Sequence, residues 1–127
     1  MPKILIVEDD NILSQAIDTA LRKNKFKTLK AMDGEEALSK VKDFKPDLIL
    51  LDLIMPKKSG EDVLAELKSD EKTKYIPVLV TTVKSEDEAI SRCMAMGARG
   101  YLIKAHYTLE EIISKIKEVI NERKKRQ

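Results

Sequence analysis

Three short apolar runs, residues 4–7, 48–51 and 76–80, contain no polar alternation. A strand with one wet face alternates apolar and polar residues, whereas a strand buried on both faces reads as a continuous apolar run. Each run is too short for a helix, and Ile and Val recur in all of them except the leucine-rich 48–51. Such strands belong to parallel sheets covered on both sides. The intervening segments supply the covering helices. Ile12/Leu13, Ala16/Ile17 and Ala20/Leu21 recur every four residues up to about Asn24, as one face of an amphipathic helix requires. Residues 26–31 alternate instead, with Lys27 and Lys30 interrupting, as expected of a half-exposed edge strand.

Asp33 and Glu36 form a capping box for a second helix, whose inner face carries Ala37, Leu38 and Val41 and which closes at Lys45-Pro46. A third helix, with Val63, Leu64 and Leu67 inward, follows the break at Ser59-Gly60. Ser85 and Glu88 predict a further capping box, for a helix running to Met96 with Gly97 at its C′ position. Residues 101–103 predict a fifth strand, and Thr108 with Glu111 caps a last helix bearing Leu109, Ile112, Ile113, Ile116 and Ile120. Strand then helix, five times over, gives an α/β fold with a parallel sheet and helices on both faces.

With 127 residues, 43% of them hydrophobic, and no Pro/Gly/Ser-rich linker, the expectation is a single domain over residues 1–127 and no effector domain. A net charge of +2 argues for no nucleic acid partner. The cations Arg123, Lys124, Lys125 and Arg126 read as a solvated helix end suited to the helix dipole. A lone cysteine, Cys93, suits a reducing compartment, and no signal peptide or membrane span is visible, so a cytoplasmic protein without a membrane role is expected. His106, the one histidine, reads as a solvated loop residue, and Cys93, Ala89 and Met96 as a core-facing stripe.

Four of the five strands finish in a polar group: Glu8/Asp9, Asp52, Thr82 and Lys104. In a parallel sheet those ends share one edge, the edge at which open α/β sheets bind ligands. Three convergent carboxylates repel unless a cation sits among them, and an all-oxygen site is what Mg²⁺ accepts. An ammonium and a hydroxyl then suit a tetrahedral anion beside the metal. Those parts describe phosphoryl transfer with a carboxylate, Asp52, attacking phosphorus to give an acyl phosphate.

The motifs ILIVEDD, DLILLDLIMPKKSG, IPVLVTT and GARGYLIK, in this order and spacing, make the whole chain resemble the receiver domains of two-component response regulators. The resemblance implies a flavodoxin-like (βα)5 fold with strand order 2-1-3-4-5, for which a chemotaxis member of this family is a standard example. It implies that Asp52 accepts a phosphoryl group from a sensor histidine kinase or phosphotransfer protein, with Mg²⁺ as cofactor. Asp9, Asp52 and the Ile54 backbone carbonyl match the family's direct metal ligands, and Glu8 matches one acting through water. Thr82 and Lys104 match the residues that hold phosphoryl oxygens. Tyr101 matches the aromatic that turns inward when Thr82 moves. A downstream protein partner is expected on the face of the fourth helix, fifth strand and fifth helix, where Ile90 and Met94 add an apolar stripe. On this reading the chain is no enzyme beyond its own phosphorylation and dephosphorylation.

Other readings fit less well. An Asp-nucleophile phosphatase places a second Asp two residues on, where this chain has Ile54. A flavin-binding protein needs a phosphate cradle after the first strand, and Glu8-Asp9-Asp10 would repel the phosphate. A receiver-like interaction module that is never phosphorylated would not need all five site residues. One departure from the family stands out: Lys104 is followed by Ala105 where the family has proline after a cis bond. A cis bond before alanine costs about 2.5–4 kcal/mol, so a trans bond is expected here.

Overall fold

The computed structural model of the protein describes residues 1–126; the side chain of Arg126, one of the C-terminal cations, lies outside the described residues. The elements follow as β1 (Lys3–Val7), α1 (Asn11–Lys23), β2 (Lys27–Ala31), α2 (Gly34–Phe44), β3 (Leu48–Leu51), α3 (Gly60–Ser69), β4 (Val78–Thr82), α4 (Asp87–Ala95), β5 (Gly100–Ile103) and α5 (Leu109–Arg126). The five strands are parallel in the order β2-β1-β3-β4-β5. The fold is therefore the flavodoxin-like (βα)5 arrangement expected.

The unbroken apolar runs are explained by the two cores. Leu5, Val7, Ile49, Leu51, Val78 and Val80 pack beneath α2, α3 and α4, whereas Ile4, Ile6, Leu48, Leu50 and Leu79 face α1 and α5. Successive side chains of a strand point to opposite faces, so a strand covered on both needs no polar position. β2 has a neighbour on one side only, and its Lys27 is exposed while Thr28, Leu29 and Lys30 are half-buried. Charge on such a strand discourages further pairing.

Local signals set the helix ends. Asp10 caps α1, its Oδ1 accepting from the amides of Ile12 at 3.0 Å and Leu13 at 3.2 Å. Asp33 caps α2 through the Glu36 amide at 2.8 Å, and Lys45 ends it in the left-handed conformation with φ 51°. Thr108 and Glu111 exchange hydrogen bonds of 2.9 and 3.1 Å, completing the expected capping box of α5. Gly97, with φ 105°, follows α4 as its C′ residue.

The Ser85/Glu88 capping box does not form. Residue 86 is the N-cap, extended at φ −67° and ψ 135° and without a side-chain cap bond, so α4 begins only at Asp87. Just ahead of this N-cap, the Lys84 carbonyl accepts a hydrogen bond from the Tyr101 hydroxyl at 2.9 Å. The described residues include no cis peptide bond, so Lys104–Ala105 is trans and opens a short 3₁₀ turn, Lys104–His106. No helix among the described residues is long and apolar enough to cross a membrane.

Candidate functional site

β1 and β3 lie side by side at the centre of the sheet, in register from Ile4 opposite Leu48 to Val7 opposite Leu51. The chain leaves both strands at the same edge. Past that register the Asp52 amide still donates to the Val7 carbonyl at 3.0 Å, and the Glu8 amide to the Ala31 carbonyl at 3.1 Å. These bonds fix both carboxylate-bearing residues on the sheet frame rather than on free loops. Glu8 and Asp52 are buried, and Asp9 is exposed beside them. One carboxylate oxygen from each of the three lies within 4.8 Å of the others.

β5 adds the cation. Lys104 reaches across 96 residues of sequence to place its Nζ 2.7 Å from Glu8 Oε1 and 3.2 Å from Asp52 Oδ2. The other Asp52 oxygen, Oδ1, accepts from the Ile54 amide at 3.2 Å, which fixes the rotation of the carboxylate. Glu8 Oε2 accepts from the Asp10 amide at 3.2 Å. Burial pushes the Glu8 carboxyl up to about 7, and its hydrogen bond from Lys104 offsets only part of that. For Lys104, burial alone would lower the ammonium, but the hydrogen bond to Glu8 and the charge of Asp52 outweigh it and the net direction is upward.

Such a donor set fits a hard divalent cation. Three carboxylates, two of them buried, offer oxygen only, and a backbone carbonyl at Ile54 is in the same loop as Asp52. A single ammonium against three ionised carboxylates leaves two negative charges unbalanced, the charge that a divalent ion would offset.

Thr82 ends β4 and is fully buried, and its Oγ1 accepts from the Lys84 amide at 3.4 Å. That leaves the hydroxyl proton as the group it can offer to an anion. Tyr101 is half-buried, its hydroxyl pushed up to about 12 by burial and bonded to the Lys84 carbonyl. The structure thus gathers Glu8, Asp9, Asp52 and Lys104 directly, and joins Thr82 to Tyr101 through one residue of the β4–α4 loop. Ala89 and Cys93 face the core as expected, while Met94 is exposed and Ile90 half-buried. Asp10 turns out to be a helix cap, a role its position just before Asn11 signals.

Sequence reasoning missed Gly60. Its amide bonds the Leu53 carbonyl at 2.9 Å, and a Cβ placed on it would lie 2.3 Å from the Asp52 carbonyl oxygen. It also missed Glu61, the next residue, which accepts from Arg92 Nε at 2.7 Å and its second guanidinium nitrogen at 3.1 Å. Nothing in the linear spacing of residues 31 apart announces that pair.

Known proteins resemble the chain in sequence and in fold. The sequence pattern of the response regulator receiver domain family matches residues 4–117. The phosphate regulon transcriptional regulatory protein PhoB of Escherichia coli K12 is 33% identical over 118 residues, which cover 93% of this chain and 51% of PhoB. The chain spans about half or less of the length of the curated relatives it matches. Among solved structures, the chemotaxis protein CheY4 of Vibrio cholerae superposes with a TM-score of 0.86 at 28% identity, covering 94% of this chain and 98% of CheY4. The phosphorylated cyanobacterial phytochrome response regulator RcpA is 32% identical, with a TM-score of 0.79 and coverage of 93% and 90%.

Proposed function

Because this chain belongs to the response regulator receiver family of two-component signalling, we propose that Asp52 is its phosphoryl acceptor and that Lys104 and Thr82 hold the transferred oxygens. The observation that carries this reading is the Lys104 ammonium bridging Glu8 and Asp52 at the sheet edge. An Asp52 oxygen attacks phosphorus of a phosphohistidine, a P–O bond forms as the P–N bond breaks, and the imidazole leaves with the bonding pair and takes up a proton. The Ile54 amide and Lys104 fix the attacking carboxylate from both oxygens, which removes the rotational freedom that otherwise opposes in-line attack. Lys104 and the Thr82 hydroxyl then meet the charge gathering on the equatorial oxygens. Asp9, Asp52 and the Ile54 carbonyl would hold Mg²⁺ directly, and Glu8 through water. When bound, the ion supplies positive charge that offsets the incoming phosphoryl group. RcpA, which is similar in fold and sequence, has been solved phosphorylated, in keeping with this assignment.

The donor is a sensor histidine kinase or phosphotransfer protein, and the output is a protein docking on α4, β5 and α5, where Met94 is 46% exposed beside Ile90. The test is intact mass after incubation with a small phosphodonor. One phosphoryl adduct is expected with Mg²⁺, none in Asp52→Ala and none in excess chelator. An adduct that survives Asp52→Ala would refute the assignment.

Binding of the ion should depend on pH through Glu8. The folded-state value of about 7 lies above the ordinary 4.5, so folded protein keeps a proton that the unfolded chain releases. Glu8 therefore contributes stability fully below about 4.5 and loses it as pH rises through about 7. A divalent cation needs that carboxylate charged and must displace the proton. The rise in Tm on adding Mg²⁺ should accordingly be larger at pH 8 than at pH 6; equal rises at both would show that Glu8 takes no part.

A further inference from the structure

We propose that Glu61 is a positioning residue which clamps the β4–α4 segment, and through it Tyr101, against the loop that carries Asp52. The proposal rests on the phosphoacceptor reading above for its consequence but not for its geometry. Glu61 is the second residue of α3, directly after Gly60, whose backbone packs on the Asp52 carbonyl. It therefore follows directly the residue that is pressed against the backbone of Asp52 and hydrogen-bonded to Leu53. Its carboxylate faces two cations from the other side: Arg92 of α4 in a two-point contact, and Lys84 of the β4–α4 loop with Nζ 3.6 Å away. Glu61 is only 21% exposed, and the Arg92 guanidinium holds its carboxyl below the usual range. A paired-fork contact of this kind, joined to a third charge, is the geometry in which a surface ion pair contributes.

Lys84 is the residue through which this reaches the site. Its amide meets Thr82 Oγ1 at the long distance of 3.4 Å, and its carbonyl accepts from Tyr101. A bond that long contributes little to holding the loop, and Glu61 faces the same residue through its side chain, 3.6 Å from the Lys84 Nζ. The segment 83–86 ends in an N-cap without a side-chain cap bond, and residue 86 is tied to α4 only through its carbonyl, which accepts from the Ile90 amide at 3.2 Å. Without the carboxylate, Lys84 and α4 lose their common anchor, Tyr101 loses a fixed acceptor, and Thr82 loses the contact that directs its hydroxyl proton toward the site.

The measurement uses protein labelled with fluorotyrosine, the Tyr101 signal being assigned with Tyr101→Phe, alongside the rate of adduct formation from a small phosphodonor with Mg²⁺. In Glu61→Gln the Tyr101 fluorine resonance should shift or broaden, and phosphorylation should slow about fivefold, while Tm changes by no more than a few degrees. The exchange Glu61→Arg with Arg92→Glu rebuilds the α3–α4 pair but turns a cation toward Lys84. It should restore Tm without restoring the Tyr101 signal. An unchanged Tyr101 resonance in Glu61→Gln, or full recovery of that resonance in the exchanged protein, would overturn the clamp. Should the wild-type chain accept no phosphoryl group at all, the phosphoacceptor reading falls, and the ring signal still decides the clamp by itself.

Discussion

Gly60→Ala should be among the most damaging single substitutions in this chain. A methyl group there would lie 2.3 Å from the Asp52 carbonyl oxygen and 2.4 Å from the Leu53 Cα, both backbone atoms that no rotamer change can move. Relief requires α3 to back away from β3, which breaks the Gly60 amide bond to Leu53 and opens the core around Val63 and Leu64. Overpacking usually costs about 1–3 kcal/mol where side chains can yield, and more where they cannot, so about 3 kcal/mol or more is expected. For a domain whose total stability is about 5–15 kcal/mol, that is a large fraction. Urea unfolding should show a clearly lowered midpoint, with Tm lower by roughly 10 °C. A midpoint equal to wild type would mean that α3 is not seated on Asp52 as described.

Lys104→Met carries the second large effect, on chemistry more than on folding. The methionine keeps the apolar stem and removes the ammonium that holds Glu8 and Asp52 together. Loss of one preorganised charge at a developing oxyanion costs about 10²–10³ in rate, and a fall of about 100-fold in phosphorylation is expected. Stability should also change in a way that depends on pH. Without its cation the Glu8 carboxyl moves further up, so the folded protein binds its proton more tightly still. The variant should be closest to wild type near pH 5 and fall away as pH rises toward 8. A constant difference across that range would show that Lys104 does not relieve Glu8.

The cores were legible because burial on both faces writes itself directly into the sequence. Residues 4–7 and 48–51 need no polar position, and none is present. The acidic and basic strand ends were legible for a related reason: parallel strands must finish at one edge, so Glu8, Asp9, Asp52, Thr82 and Lys104 had to approach one another. What escaped depends on partners distant in sequence. Ser85 and Glu88 have the spacing of a capping box, yet residue 86 stands at the N-cap without a side-chain bond and the helix begins at Asp87. Gly60 read as a chain break, whereas its real constraint is the Asp52 backbone pressed against it. Glu61 and Arg92 are ordinary surface residues until α3 and α4 are packed.

The 96 residues separating Glu8 from Lys104 also set an order of events for a chain emerging from the ribosome. β1 and β3 can pair once about half of the chain is out, and that pairing already brings two carboxylates toward a dry sheet edge. The ammonium that eases their repulsion is made last among the site's parts, just before α5. In a partial product without Lys104, Glu8 keeps its proton in place of that ion pair, so the edge is neutralised by protonation rather than by an ammonium. Only after β5 is made can that proton be exchanged for the paired charge of Lys104, which joins Glu8 to Asp52.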